Sequence, residues 1–150
     1  MNPGIMNPGI TFDTLAHIGI RVSDFARSIA FYRSFGFEVV REDYDERVVV
    51  LQHASGLVLN LLDSANSNND RRNVLMDERV KYPGYTHIAL AVGAIDITVA
   101  ALNALNIDIT EGPVTFGDGS TSVFFRDPDR NVIELTQADV NYSNTQAVSS

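Results

Sequence analysis

Three histidines, at positions 17, 53 and 87, and a carboxylate at Glu134 inside an apolar run are the residues of this chain best suited to chemistry. His17 and His87 stand third in segments that repeat each other seventy residues apart: Leu-Ala-His-Ile-Gly-Ile-Arg-Val from Leu15, and Tyr-Thr-His-Ile-Ala-Leu-Ala-Val from Tyr85. The register continues without a gap, so that Ile20 matches Leu90, Val22 matches Val92, Ser28 matches Thr98 and Phe35 matches Leu105. A lone histidine on a strand is most simply a satisfied core or rim residue. A duplicated unit that presents one twice at the same inward position points instead to a paired site. Glu134 lies in Asn131-Val-Ile-Glu-Leu-Thr136, and the corresponding strand of the first half, Leu57-Val-Leu-Asn60-Leu-Leu62, carries Asn60 in its place. A carboxylate buried without a cationic partner is costly. Two imidazoles and a carboxylate with open positions suit Fe2+, and also Mn2+, Ni2+, Co2+ or Zn2+. His17, His87 and Glu134 are therefore the expected metal ligands.

Other polar groups fall around this set. Arg21 shares the face of His17 and either clamps an anionic substrate group or pairs with Glu38 or Asp24. Tyr85, two residues before His87 on the same face, is a candidate proton donor, though an aromatic at a strand start also serves packing. His53 ends a strand beside a turn and reads as a rim residue.

The elements that must position these groups follow from periodicity. Residues 15–22 alternate, with Ala16, Ile18, Ile20 and Val22 on a face that packs under a helix, and Leu15, His17, Gly19 and Arg21 on the other. Ser23 or Asp24 caps a helix to about Ser34, in which Phe25, Ile29, Tyr32 and Phe35 keep helical spacing, and Gly36 ends it. Strands are expected at 37–41, 48–52 and 57–62, with a turn at 54–56. Residues 64–82 read as a surface linker with one or two helical turns. The second half repeats the order: strand 85–92, helix 95–105, then strands 107–110, 121–126 and 131–137. Asp127-Pro-Asp-Arg-Asn131 is turn chemistry, with a left-handed position at Arg130 or Asn131. The implied class is α+β, two βαβββ modules whose histidine-bearing faces need a partner. Residues 1–13 form a flexible lead-in, 14–137 one domain (modules 14–63 and 84–137, linker 64–83), and 138–150 a disordered tail.

Composition narrows the function. A chain of 150 residues can bury roughly 70% of its unfolded surface in one domain. There is no cysteine, which removes disulfides, thiolate metal sites and cysteine nucleophiles. Nineteen acidic residues against eleven basic give a net charge of −8, which argues against nucleic acid as a partner. No apolar run is long enough for a membrane span, and the opening Met-Asn-Pro-Gly-Ile, written twice, lacks the basic and apolar regions of a signal peptide. The chain reads as a soluble cytoplasmic protein.

On these residues the chain resembles the vicinal oxygen chelate superfamily, which holds glyoxalase I, extradiol dioxygenases, fosfomycin-resistance thiol transferases and bleomycin-resistance proteins. The resemblance covers about residues 14–137. It rests on His17, on Phe31-Tyr32 with Phe35-Gly36-Phe37, on Thr86-His87-Ile88-Ala89-Leu90, and most specifically on Phe125-Arg-Asp-Pro-Asp-Arg-Asn-Val-Ile-Glu-Leu135. The glycine usual after Asp-Pro-Asp is absent.

The resemblance implies a divalent metal that chelates neighbouring oxygens of a small substrate, and a homodimer in which His17 of one subunit faces His87 of the other. Glyoxalase I-like members carry Glu or Gln where Asn60 stands, and asparagine is no base at ordinary pH. The expectation is a dioxygenase or lyase type of enzyme, with Asn60 beside the substrate as a hydrogen-bond partner or weak ligand and with Tyr85 and Phe124 or Phe125 walling the cavity. The alternatives are a glyoxalase I-type isomerase (lactoylglutathione lyase) and a metal-free drug-binding resistance protein; the complete triad counts against the latter.

Overall fold

The computed structural model describes residues 9–66 and 72–139. The chain runs β1 (Ile18–Arg21), α1 (Phe25–Arg33), β2 (Glu38–Asp43), β3 (Val48–Gln52), β4 (Val58–Leu62), β5 (His87–Ala91), α2 (Ile95–Ala104), β6 (Ile109–Thr115), β7 (Thr121–Arg126) and β8 (Val132–Gln137). Two four-stranded sheets result, in the orders β1-β4-β3-β2 and β5-β8-β7-β6. In each, the first strand lies parallel to the last, and the remaining pairs are antiparallel. These are the two expected βαβββ modules. Strands 48–52 and 121–126 fall on their expected bounds.

Alternation decides the faces. Ile20, Val22, Val49, Leu51, Leu59 and Leu61 are buried together on the helix-bearing side, while Gly19 and Arg21 stay exposed. The α1 N-terminus is closed by Asp24, whose side chain accepts the Arg27 N–H at 3.0 Å. The two modules meet through their helix-bearing sides. Phe125 of β7 is buried and stacks on Phe35 (centroids 5.5 Å apart), with Phe31 of α1 at 6.4 Å. One continuous core thus serves both sheets, and their other faces turn away from it.

The Asp127–Asn131 turn is part of this junction. Asp127 is buried and its carboxylate accepts from the Tyr32 hydroxyl, the Asn131 amide group and the Asp129 and Asn131 N–H groups, all at 2.8–2.9 Å. Burial pushes Asp127 above the usual carboxylate range despite these bonds. Burial, and then the Asp127 charge, pushes the Tyr32 phenol well above its ordinary value. Asp129 accepts from Ser23 and forms an ion pair with Arg27 at 3.0 Å. The most specific motif of the sequence therefore works here as the clasp between modules.

Two expectations change and two are resolved. β1 begins at Ile18, so His17 lies immediately ahead of the strand. β6 runs to Thr115, well past the expected end at 110, because Gly112-Pro113 sits in a bulged edge strand, where proline leaves no ladder donor missing. The described part of the linker holds one turn of helical type at 74–77, closed by the Asp77 N–H on Asn73 O at 2.8 Å and braced by the Asn73 side chain. Of the two residues expected at the left-handed position, Arg130 takes it (φ 69°), while Asn131 donates its N–H and amide group to Asp127. The expected tail beyond 139, and residues 1–8 of the lead-in, lie outside the described residues.

Candidate metal centre

β5 and β8 pair in parallel with Ala89 opposite Glu134, and β7 places Phe124 opposite Glu134 on the other side. That register sets His87, Glu134 and Phe124 on the sheet face turned away from the core. His87 Nε2 lies 2.9 Å from Glu134 Oε2, with the side chains 34% and 13% exposed. Each group is anchored behind. Glu134 Oε1 accepts the Ser122 hydroxyl at 2.7 Å, and His87 Nδ1 meets Thr86 Oγ1 at 2.8 Å. The Phe124 ring stands edge-on to the imidazole (5.9 Å) and to Phe116 (6.5 Å), forming an apolar wall.

This pair fits a metal ion. Two cis ligands with bonds of about 2.1 Å lie roughly 3 Å apart, close to the observed separation of Nε2 and Oε2. A ligating histidine ordinarily holds its second ring nitrogen in a hydrogen bond, which Thr86 provides. One chain gathers only these two donors: among its described residues, no three His, Asp or Glu come together. His17 is exposed ahead of β1, whose outer edge has no partner strand among the described residues. Among the described residues β5 likewise pairs on one edge alone.

The remaining candidates separate. An open cleft of about 910 Å³ between the β1 and β5 edges is lined by Arg21, Ser64, Tyr85, Thr86 and His87 among others. Tyr85 is 99% exposed. Arg21 donates to Ser64 Oγ at 3.1 Å; of its two expected carboxylate partners, Asp24 caps α1 and Glu38 lies 3.7 Å from Arg33. Asn60 is half-buried on β4 between Gly19 and Val50, on the outward face of the first sheet. His53 is a turn residue, its Nδ1 accepting the Ser55 N–H at 3.0 Å and its ring against Phe37. Of the two phenylalanines offered as cavity walls, Phe125 belongs to the core and Phe124 to the site.

Sequence reasoning passed over Ser122 and Phe116. The available signal for Ser122 was parity: it lies two residues before Phe124, hence on the same face as Glu134.

No curated protein matches the chain. Solved structures do share its fold. A glyoxalase family protein from Enterococcus faecalis is 26% identical, with 83% of this chain and 98% of that one covered and a TM-score of 0.66. A glyoxalase/dioxygenase from Nostoc punctiforme is 21% identical (91% and 97% covered, TM-score 0.67). A fosfomycin resistance protein from Listeria monocytogenes is 17% identical (88% and 98% covered, TM-score 0.64). The family model of the glyoxalase, bleomycin resistance protein and dioxygenase superfamily matches residues 14–135. Given the paired βαβββ modules and that match, the chain belongs to the Glyoxalase/Bleomycin resistance protein/Dioxygenase superfamily.

Proposed function

We propose that this protein is a metal-dependent enzyme of dioxygenase or lyase type, acting on a small molecule with two adjacent oxygens. The observation that carries this reading is the His87–Glu134 pair at 2.9 Å, anchored behind by Thr86 and Ser122 and facing outward from the core. His87 and Glu134 supply two donors, and His17 of a second copy supplies the third. A divalent ion held there acts as a Lewis acid on chelated oxygens. Asn60 offers a hydrogen bond to the substrate, Arg21 a positive charge to an anionic group, and Tyr85 a phenolic proton. Phe124 and Phe116 close the apolar side.

The need for a second copy rests on the open sheet edges and on a repeated apolar surface. Ile10, Phe12 and Leu15 are 65%, 93% and 66% exposed, and their counterparts seventy residues on, Val80, Tyr82 and Tyr85, are 66%, 63% and 99% exposed. Both lead-ins thus carry uncovered apolar side chains into an unpaired edge, the pattern of surfaces that await a partner. A homodimer pairing β1 of one copy with β5 of the other covers both at once.

Mixing His17→Ala protein with Glu134→Ala protein tests the reading. Elemental analysis of wild-type protein purified without chelators is expected to find about one ion per chain, and each variant alone to lose it. After exchange of equal amounts, the mixed dimer makes up about half the population and holds one intact site of two, so metal returns to about a quarter of the wild-type content. A metal-free wild type overturns the metal reading. Full retention in His17→Ala overturns the shared site.

A further inference from the structure

Glu134 has two carboxylate oxygens, and the structure treats them differently. Oε2 faces His87 Nε2, whereas Oε1 is held at 2.7 Å by Ser122 Oγ. Ser122 is fully buried, in β7 opposite Thr136. Its hydroxyl has no bulk water to turn to, and an ionised carboxylate only accepts, so the serine is the donor. A free carboxylate can grip a cation with both oxygens. Here one oxygen already accepts a hydrogen bond from a neighbour on the same sheet face, which leaves Oε2 the freer donor.

Resting on the metal reading above, we infer that Ser122 is a positioning residue that restricts Glu134 to a single ligating oxygen and so keeps open a coordination position that a free carboxylate would close. The arrangement matters for a substrate that binds through two neighbouring oxygens. Three protein donors on a six-coordinate ion leave about three positions; a second Glu134 oxygen would take one of them. Thr86 has the complementary task at His87, holding Nδ1 so that Nε2 points toward Glu134. Ser122 touches neither substrate nor ion; it acts through Glu134.

The test uses Mn2+ alone as probe and reads the waters on the bound ion through water-proton relaxivity at saturating protein. Wild type and Ser122→Ala are compared, with Ser122→Cys beside them; cysteine keeps the side-chain bulk but is a weak donor, so it carries the reading if the alanine variant does not fold. The expected result is a fall in relaxivity per bound Mn2+ of about one third in both variants, one open position in about three. Glu134→Gln is expected to weaken Mn2+ binding at least about tenfold. Unchanged relaxivity in the Ser122 variants, with binding still lost in Glu134→Gln, overturns the role of Ser122 and leaves the metal reading standing. Absence of Mn2+ binding in wild type, or full binding in Glu134→Gln, overturns the metal reading and this inference with it.

Discussion

The two modules share a fold but divide the labour, and the closest comparison is the turn that leads into each last strand. In module two, Asp127 N–H donates to Asn131 O and Arg130 N–H to Asp127 O, each at 2.9 Å. In module one, His53 N–H donates to Leu57 O and Gly56 N–H to His53 O, again at 2.9 Å. Even the side-chain brace is repeated. Asp127 Oδ1 accepts the Asp129 N–H at 2.9 Å, and His53 Nδ1 accepts the Ser55 N–H at 3.0 Å. The left-handed position is Gly56 (φ 94°) in one and Arg130 (φ 69°) in the other. An identical backbone thus tolerates different side chains, and what differs is what each turn serves. The module-one turn lies half-exposed at a sheet end, whereas the module-two turn is bound by Tyr32 and Ser23 of module one. The same division holds across the outward faces, where Asn60 stands between Gly19 and Val50 while Glu134 stands between Ala89 and Phe124. Duplication supplied the frame, and each half was then free to specialise.

Removing the two equivalent side chains gives the largest test of that division. Asp127→Ala strips acceptors from the buried Tyr32 hydroxyl, the Asn131 amide group and two N–H groups. Losses of about 1–3 kcal/mol attend each buried group left unpaired. Relief of a buried charge returns part of that, so the net cost is about 3 kcal/mol. His53→Ala costs about 1 kcal/mol, since its acceptor is half-exposed and its packing on Phe37 is partial. Denaturant unfolding of the two variants measures the difference. Equal costs would show that the Asp127 network braces a turn and does not join modules.

How much of this was legible in the sequence depended on the range of the interaction. Alternation at 15–22 gave the faces of β1 correctly, because burial on one side imposes a period of two on any strand. Val48–Gln52 is legible to the residue as a β-branched run, and Thr121–Arg126 as its counterpart in the repeated half. Gly112-Pro113 concealed the second half of β6, since local turn chemistry cannot show that a segment lies at a sheet edge. Asp-Pro-Asp-Arg-Asn reads as an exposed turn, and nothing local says that Tyr32, ninety-five residues away, reaches Asp127. His87 and Glu134 were singled out from the repeat and from a charge in an apolar run. Ser122 escaped because a serine in a strand is commonplace until its neighbour across the ladder is known.

Helix starts offer a sharper test of intermediate size. Asp24 caps α1 from within the helix's own sequence, but the matching residue at α2 is Ala94, which has no capping side chain. There Gln137, at the end of β8, reaches back and accepts the Ile95 N–H at 2.7 Å. Asp24→Ala and Gln137→Ala are each expected to cost about 1 kcal/mol. Ala94→Asp would cap the Ile97 N–H, three residues on as Asp24 caps Arg27, a donor distinct from the Ile95 N–H that Gln137 holds, so its gain of about 0.5 kcal/mol should be the same in the Gln137→Ala background and in the native chain. Thermal unfolding of the four variants checks this. A gain confined to the Gln137→Ala background would show that the two side chains compete for one donor.

The smallest expected effect returns to the left-handed position. A residue with a Cβ pays about 1 kcal/mol or more in that conformation, while glycine pays mainly through a more flexible unfolded chain. Arg130→Gly should therefore stabilise the protein by about 0.5 kcal/mol, as the Arg130 carbonyl that accepts from Arg126 and Asn73 is kept. Gly56→Ala should do the reverse, costing about 1 kcal/mol even though open space surrounds the glycine, because the strain lies in the backbone. Urea midpoints of the pair decide it. Destabilisation by Arg130→Gly would mean that attraction between the guanidinium and Asp77 outweighs the backbone strain, and would make the arginine a second fastening of the linker to module two, with no counterpart in module one.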